Sequence, residues 1–240
     1  MCPANVHIVN MEYKDYCERV SRTLNINFHP TNPYKLCDIK PTLGMIHANE
    51  LAEYDFWGFG DLDLVYGNLR AYFTAERLAR YDLFSTHARR ISGHLCLIRN
   101  TLEMRFAFMR AKQWQLKLES PEHLAFDESG FSKIFIRHKN SPKWVKKLAT
   151  ILDPWLARAE FVEAYTTPNG KIAWIDGRRS YPTEWYWHAG VVSNSCHDGR
   201  VYPYFHFMIW KKKWELCELL DMYDLSEGVW IFNKSGITLG

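Results

Sequence analysis

The stretch "FWGFGDLDLVYGNLR", Phe56 to Arg70, joins an apolar run to two acids one residue apart. The run "YDFWGFGD" is nearly continuous in apolar residues, which is typical of a central strand covered on both faces in a parallel or mixed sheet. The following segment, "NLRAYFTAERLARY", has helical spacing. Asp61 and Asp63 are therefore predicted at the carboxyl end of a strand, the edge at which open α/β sheets bind ligands.

The two acids form a candidate site for a divalent cation. In extended backbone Asp61 and Asp63 point to the same face, while Leu62 is expected to point into the core. Paired carboxylates suit Mg²⁺ or Mn²⁺, which fill their remaining positions with water and substrate phosphates. The alternative is a pair of solvated acids at a strand end.

The rest of the chain alternates between strand and helix patterns. Upstream we predict a strand at residues 6–9, a helix in "MEYKDYCERVSRTL", a proline-rich loop in "HPTNPYKLCDIKP" and a helix over about 42–51. Downstream we predict a strand in "ISGHLCLIRN", a helix in "TLEMRFAFMRAKQWQL" and an acidic turn in "LAFDESGFSKIFIRH". The segments from "KIAWIDG" to "RVYPYFHFMIW" predict a hairpin or small antiparallel extension, and "KKKWELCELLDMYD" a closing helix. This order predicts a mixed α/β fold with a β-rich C-terminal extension.

Composition narrows the class of protein. The 240 residues are 47% apolar and 15% aromatic, which excludes a disordered chain. The formal charge of +3 is spread along the sequence, so no nucleic-acid footprint is evident. The six cysteines are widely separated and no apolar run reaches membrane-spanning length. We therefore predict one domain in a reducing, cytoplasmic compartment.

Several motifs together carry a resemblance to a known family. In order, they are "PYKLCDIKP", "YDFWGFGDLDLVYGNLR", "SGHLCLIRNT", "FDESG" and "YPYFHF" before a basic run, and they span about Pro33 to Lys213. The chain resembles an uncharacterised family of bacterial glycosyltransferases encoded with capsular and cell-surface polysaccharide genes. That resemblance implies a single domain over residues 1–240 with a mixed sheet flanked by helices, like the GT-A fold. The family carries several tens of residues before the segment that matches "PANVHIVNM", so the usual first nucleotide-binding strand and helix are expected to be missing.

The resemblance also implies a metal centre. By this likeness Asp61 and Asp63 match the acidic motif that holds Mn²⁺ or Mg²⁺ against the donor diphosphate, and Asp61 also contacts the donor. His206 resembles the C-terminal histidine that completes such a centre, although a lone histidine among aromatics is more often a core residue.

Two further groups of residues receive roles by the same likeness. Lys35, Asp38 and Lys40 match a segment that lines the nucleotide; for the lysines the alternative is a surface salt-bridge network. Asp127 and Glu128 match the acidic pair near the acceptor, where an inverting enzyme needs a general base. A turn or helix-capping acid is the alternative there.

The resemblance implies that the protein is a metal-dependent, hexosyltransferase-like enzyme. It would move a sugar from a nucleotide-diphosphate donor to a glycan or lipid-linked glycan acceptor in surface or capsular polysaccharide synthesis. Peripheral association with the inner face of the membrane follows from such an acceptor. The first alternative is a catalytically impaired relic that binds glycan or forms a complex. A metal-dependent phosphoesterase would use the same acids but lacks a supporting motif.

Overall fold

The structure is a computed structural model that describes residues 4–168, 171–212, 214 and 228–240. Its α-helices are α1 (Tyr13–Leu24), α2 (Leu43–Ile46), α3 (Leu69–Tyr72), α4 (Ala75–Arg80), α5 (Leu102–Arg105), α6 (Trp114–Glu119), α7 (Ser132–Phe135) and α8 (Lys143–Leu152). Its strands are β1 (Phe56–Gly60), β2 (Leu64–Tyr66), β3 (Leu83–Ser85), β4 (Leu95–Arg99), β5 (Ala159–Phe161), β6 (Glu184–His188), β7 (Val191–Asn194), β8 (Tyr204–His206), β9 (Trp230–Asn233) and β10 (Gly236–Leu239). Further 3₁₀ helices cover Pro33–Thr42, Ala107–Arg110 and Pro154–Ala157, and a π-helix covers Phe126–Gly130.

The chain divides into two compact units, each assembled from separate stretches. Cys2–Gly60 and Arg80–Glu163 form one, here called the α/β unit; Asp61–Ala79 and Ala164–Gly240 form the other, the β-rich unit. The predicted fold class, mixed α/β with a β-rich C-terminal region, is confirmed. The prediction of a single domain over residues 1–240 stays a prediction.

A mixed four-stranded sheet lies in the α/β unit. The strand order is β1-β4-β3-β5, with β4 antiparallel to both neighbours and β5 parallel to β3. The strands predicted from "YDFWGFGD" and "ISGHLCLIRN" are thus present as β1 and β4. However, β1 is an edge strand, and its burial alternates: Trp57 and Phe59 are buried whereas Gly58 and Gly60 are exposed. The prediction of a central strand covered on both faces was wrong because only the face of Trp57 and Phe59 is buried, while the other carries half-buried Phe56 and the two exposed glycines.

Helices α1 and α2 close the core of this unit. In α1 the predicted helical spacing buries Cys17, Val20 and Leu24. In α2, Gly44 lies so close to β1 that a Cβ there would stand 2.3 Å from the Trp57 ring. A glycine is therefore what lets this helix approach the strand.

The β-rich unit contains an antiparallel sheet and a two-stranded ladder. The sheet has the order β10-β9-β6-β7, and β2 pairs with β8. The predicted C-terminal hairpin is confirmed as β6–β7, whose turn places Ala189 and Gly190 at positive φ, as two-residue hairpin turns require. Aromatic rings fill the core: Trp185 stacks on Phe205 with the ring centroids 4.8 Å apart, and Trp210 packs against Phe205 at a tilt, with centroids 5.1 Å apart.

Two long helices expected from spacing are interrupted. The one after the paired acids splits into α3 and α4, since Phe73 turns inward and the Thr74 hydroxyl accepts a bond from the Arg77 amide. The one in "TLEMRFAFMRAKQWQL" splits into α5, a 3₁₀ helix and α6, with Gln113 at positive φ before α6. Spacing detects the buried faces but not the local breaks between them.

Other local predictions were also wrong. Residues 6–9 lie outside any strand, and Val6, Ile8 and Val9 are exposed. Of the expected proline-rich loop, residues 29–32 lie outside any helix or strand as predicted, but from Pro33 to Thr42 the chain forms a 3₁₀ helix. Asn32 begins this helix, and its side chain accepts a bond from the Tyr34 amide. The helix expected over 42–51 ends at Ile46.

The closing helix predicted in "KKKWELCELLDMYD" lies largely outside the described residues. Within the described part of the chain, no helix is long and apolar enough to cross a membrane.

Candidate functional site

The paired acids lie on the short bend between β1 and β2. Although β1 ends at Gly60, its alternating burial continues through the bend: Asp61 is half-buried, Leu62 is fully exposed like Gly58 and Gly60, and Asp63 is buried. The prediction that Leu62 points into the core was therefore wrong. The ladder of β2 with β8 sets Leu64 opposite His206, and the Phe207 amide donates to the Asp63 carbonyl at 3.2 Å.

This ladder brings together the three residues proposed as metal ligands. The ligand atoms of Asp61, Asp63 and His206 all lie within 4.8 Å of one another. Ligands of one ion at about 2.1 Å are separated by at most about 4.2 Å, so only a small contraction would let all three share it. The residues fit a divalent cation in type and in spacing.

The ring of His206 is oriented by two polar contacts. Its Nδ1 lies 3.0 Å from Thr167 Oγ1, and its Nε2 lies 3.4 Å from Asp63 Oδ1. A histidine that binds metal through one nitrogen commonly donates its other N–H to a neighbouring acceptor. With an ion bound, Nδ1–H would donate to Thr167 and the Nε2 lone pair would face the ion; with none bound, Nε2 faces the Asp63 carboxylate as a donor.

A lysine that sequence reasoning missed completes the cluster. Lys211 Nζ lies 2.6 Å from Asp63 Oδ2. Burial alone would raise the pKa of Asp63, but hydrogen bonds and charge from His206 and Lys211 hold the pKa well below its usual value. Asp63 is therefore an ionised carboxylate at neutral pH. The sequence signal that could have pointed to Lys211 is the basic run that begins five residues after His206.

The α/β unit holds the other predicted residues, beginning with a buried ion pair. Lys35 and Asp38 have no exposed side-chain surface, and Lys35 Nζ lies 2.9 Å from Asp38 Oδ2. The same ammonium donates to the carbonyls of Lys117 and Glu122, both at 2.7 Å. Asp38 in turn accepts from the amides of Leu124 and Phe126, both at 2.8 Å.

These bonds tie the 3₁₀ helix at Pro33–Thr42 to the segment before and within the π-helix. Neither Lys35 nor Asp38 has surface to offer a nucleotide in this arrangement. Their nucleotide-lining role stays a prediction that requires the segment to move.

Asp127 is the most perturbed acid of this unit. It is 3% exposed, and its Oδ1 has no hydrogen-bond partner among the described residues. Burial raises the pKa of Asp127 to about 7, opposed by Lys40 and reinforced by Glu128 and Asp38. An acid with this pKa can exchange protons at neutral pH, as a general base must.

The surroundings of Asp127 account for its burial. Gly93 leaves space: a Cβ there would stand 2.9 Å from Asp127 Oδ2 and 3.0 Å from Glu128 Oε1. Lys40 Nζ donates to the Gly93 carbonyl at 2.7 Å, and Arg90 forms a salt bridge with Glu128. Sequence reasoning did not single out Gly93 or Arg90.

A second group of potential ligand atoms overlaps this region. Those of Asp38, His123 and Asp127 lie within 4.8 Å of one another. His123 Nε2 is 3.4 Å from Asp38 Oδ1, but Asp38 already accepts from Lys35 and two backbone amides. Lys35 is fully buried and cannot leave Asp38, whereas Lys211 beside Asp63 is about half exposed and can turn away, so Asp61, Asp63 and His206 are the better candidate metal centre.

Comparison with known proteins assigns the chain to one family. No curated protein and no solved structure matches it. The family described as "Family of unknown function (DUF6625)" matches residues 1–233, nearly the whole chain. The chain therefore belongs to the DUF6625 family.

Proposed function

We propose that this protein is a metal-dependent glycosyltransferase that moves a sugar from a nucleotide-diphosphate donor to a glycan acceptor. The observation that carries the proposal is the convergence of Asp61, Asp63 and His206, whose ligand atoms lie within 4.8 Å of one another. His206 lies more than 140 positions from the two acids in the sequence. Its position beside them is the arrangement that the resemblance to polysaccharide glycosyltransferases predicts.

The chemistry of the cluster suits a diphosphate leaving group. A bound Mn²⁺ or Mg²⁺ would stabilise the negative charge that develops as the sugar–phosphate bond breaks. Asp63 contributes an ionised carboxylate, and half-buried Asp61 lies beside it as a further ligand. Lys211, whose side chain is about half exposed, is able to turn from Asp63 toward an added phosphate.

Asp127 keeps its predicted acid–base role as a proposal for the α/β unit taken by itself. A pKa near 7 lets this carboxyl accept a proton at neutral pH. Glu128 forms a salt bridge with Arg90 and is not proposed as the base; its charge helps to raise the pKa of Asp127. The acceptor is proposed to be a lipid-linked glycan, with the enzyme in the cytoplasm at the inner membrane face.

One contact favours a second candidate, a glycan-binding protein that has lost catalysis. Lys211 Nζ at 2.6 Å from Asp63 Oδ2 already neutralises the carboxylate on which a metal would depend. In that case the protein would bind glycan with no requirement for a divalent ion.

A thermal-shift screen separates the two candidates. Nucleotide diphosphates are added with and without Mn²⁺, because a ligand that binds only the folded state raises the melting temperature. We expect stabilisation that needs both components and is lost in Asp63→Asn, which keeps the side-chain shape but removes a ligand charge. His206→Gln should weaken the effect less, since water can take one position.

The matched control is Asp176→Asn, an exposed acid of the same unit that caps the turn to Arg178 and has no place in the cluster. It should leave the Mn²⁺-dependent shift intact. The transferase proposal would be contradicted if nucleotide still raised the melting temperature of Asp63→Asn in the presence of Mn²⁺. It would also be contradicted if the protein bound glycan equally well with and without Mn²⁺ and nucleotide.

A further inference from the structure

Helix α8, "KWVKKLATIL", carries an apolar stripe that faces solvent. Trp144, Leu148 and Ile151 recur at i, i+4 and i+7 and are 70%, 50% and 67% exposed; Leu152 beside them is 77% exposed. No residue of this helix is buried. Amphipathic helices of folded proteins normally turn such a stripe toward the core. In α8 the stripe faces solvent, where it can contact a partner outside the described residues.

The charge around this stripe has a single sign. Between Phe131 and Leu152 the sequence contains no Asp or Glu. The basic residues there are Lys133, Arg137, Lys139, Lys143, Lys146 and Lys147. On the helical projection, Lys143 and Lys147 border the stripe along one side. The segment is therefore both apolar and strongly basic.

A basic cleft adjoins α8 in the same unit. Its volume is about 440 Å³, and its lining includes Arg89, Arg137, Lys139 and Lys146. Burial lowers the pKa of Lys139, and the neighbouring cations Arg89, Arg90 and Lys133 lower it further. Asp153, 3.5 Å from Arg137, offsets only part of this charge. The cleft thus has the electrostatics of an anion site.

The pKa of His87 gives a second sign of the same field. Burial, followed by the charges of Arg90, Lys139 and Arg89, lowers it to about 4. The His87 ring therefore stays neutral at physiological pH although Glu163 lies 3.6 Å away.

We propose that the exposed face of α8 is a docking surface for an anionic lipid bilayer. The exposed stripe would enter the boundary between headgroups and acyl chains, and Lys143 and Lys147 beside it would contact lipid phosphates, while the basic cleft on the other side of the helix adds to the positive field of this unit. A Trp- and Leu-bearing face beside a Lys-rich face is the pattern of helices that lie in the membrane interface. None of these residues belongs to the Asp61–His206 cluster, so the surface can be tested apart from the transferase proposal.

Charge decides between the bilayer and a second copy of the chain. A symmetric dimer through this face would set each basic segment against its own copy. An anionic bilayer instead offers opposite charge over the whole face, together with an apolar phase for the stripe.

The test is co-sedimentation of the full chain with vesicles. One set is phosphatidylcholine alone, and in the other about a third of the lipid is phosphatidylglycerol, an anionic fraction that attracts basic segments. We expect binding to the anionic vesicles that falls as salt rises. Replacing the two lysines beside the stripe in K143Q/K147Q should weaken it roughly 30-fold, and W144S/L148S about tenfold or more.

Matched controls come from exposed residues elsewhere in the α/β unit. L102S/L116S removes two exposed leucines, and K14Q/K112Q removes two exposed lysines, outside α8 and the cleft. Both should bind vesicles like the unmodified chain, with circular dichroism confirming that every variant is folded.

Several results would overturn the proposal. These are no binding to anionic vesicles, equal binding to neutral ones, or α8 variants that bind as the controls do. Self-association that W144S/L148S abolishes, in a chain that ignores vesicles, would assign the stripe to a second copy instead.

Discussion

The buried pair Lys35–Asp38 allows a decisive test of where these residues act. In Lys35→Met, Asp38 loses its ammonium partner at 2.9 Å and remains as a buried charge. The carbonyls of Lys117 and Glu122 lose the same donor. Removing one member of a buried ion pair costs about 3–5 kcal/mol. At about 2–4 °C per kcal/mol, the melting temperature should fall by roughly 10 °C.

The assay is urea unfolding at pH 7, read by tryptophan fluorescence and circular dichroism. A double-mutant cycle with Asp38→Asn sharpens it: in that background Lys35→Met leaves no charge behind and should cost clearly less. Lys14→Met is the matched control, because its pairing with Glu18 at 3.9 Å is exposed and should contribute no more than about 0.5 kcal/mol.

The opposite pattern would refute this reasoning. If Lys35→Met unfolds like the Lys14 control yet lowers nucleotide affinity, the lysine contacts a ligand and the buried arrangement is not the working one. The expected result is the reverse: stability drops while the nucleotide affinity of the folded fraction is unchanged, which would mean that the pair stabilises the fold and does not line the donor.

Three further outcomes follow from single residues. The pKa of Asp127 is raised from 3.8 to about 7, so between those values the folded state keeps a proton that the unfolded state has lost, and stability falls as pH rises. From pH 5 to pH 8 the stability of Asp127→Asn relative to the unmodified chain should therefore rise by up to about 2.5 kcal/mol in urea unfolding, whereas parallel pH curves would contradict this. Gly44→Ala, whose Cβ would press on the Trp57 ring, should lower the free energy of unfolding by about 1–3 kcal/mol in the same assay, and an unchanged value would mean that α2 can move away. In native-state alkylation followed by mass spectrometry, exposed Cys196 should react and buried Cys96, whose pKa burial raises, should not; comparable labelling of both would show that the core opens.

Sequence pattern predicted the elements whose hydrophobic signal is strongest. The strand in Phe56–Gly60 and the hairpin around Gly190 follow from apolar runs and turn residues, which are local properties. The π-helix at Phe126–Gly130 and the break at Phe73 depend on what each segment packs against. Leu62 shows the limit most clearly: its apolar side chain favours the core, but it lies in the exposed phase of the alternation, with Gly58 and Gly60.

The candidate site divides in the same way. Two acids one residue apart are visible in the sequence as a carboxylate pair, whereas His206 was selected through a family resemblance. Lys211 was missed because a lysine in a basic run carries no sign of its partner. The burial of Lys35 was equally hidden, since only the folded chain shows the two carbonyls and the carboxylate that its ammonium contacts.

The interleaving of the two units has a consequence for dissecting the molecule. Strands β1 and β3 both run antiparallel to β4 from opposite sides, so they are parallel to each other, and Asp61–Ala79 is the connection between them. In the sheet, Gly60 pairs with Leu95 of β4 and Leu83 pairs with Ile98 of the same strand. The Cα atoms of Gly60 and Leu83 are thus two strand spacings apart across the sheet and three residues apart along it, a distance of about 14 Å. No single truncation can release the α/β unit intact, but looping out Asp61–Ala79 and rejoining the ends with about eight glycine and serine residues would span that gap. The removed segment carries both acids of the candidate metal centre. A shortened chain that lacks it and ends at Glu163 would therefore allow vesicle binding to be measured without the metal site.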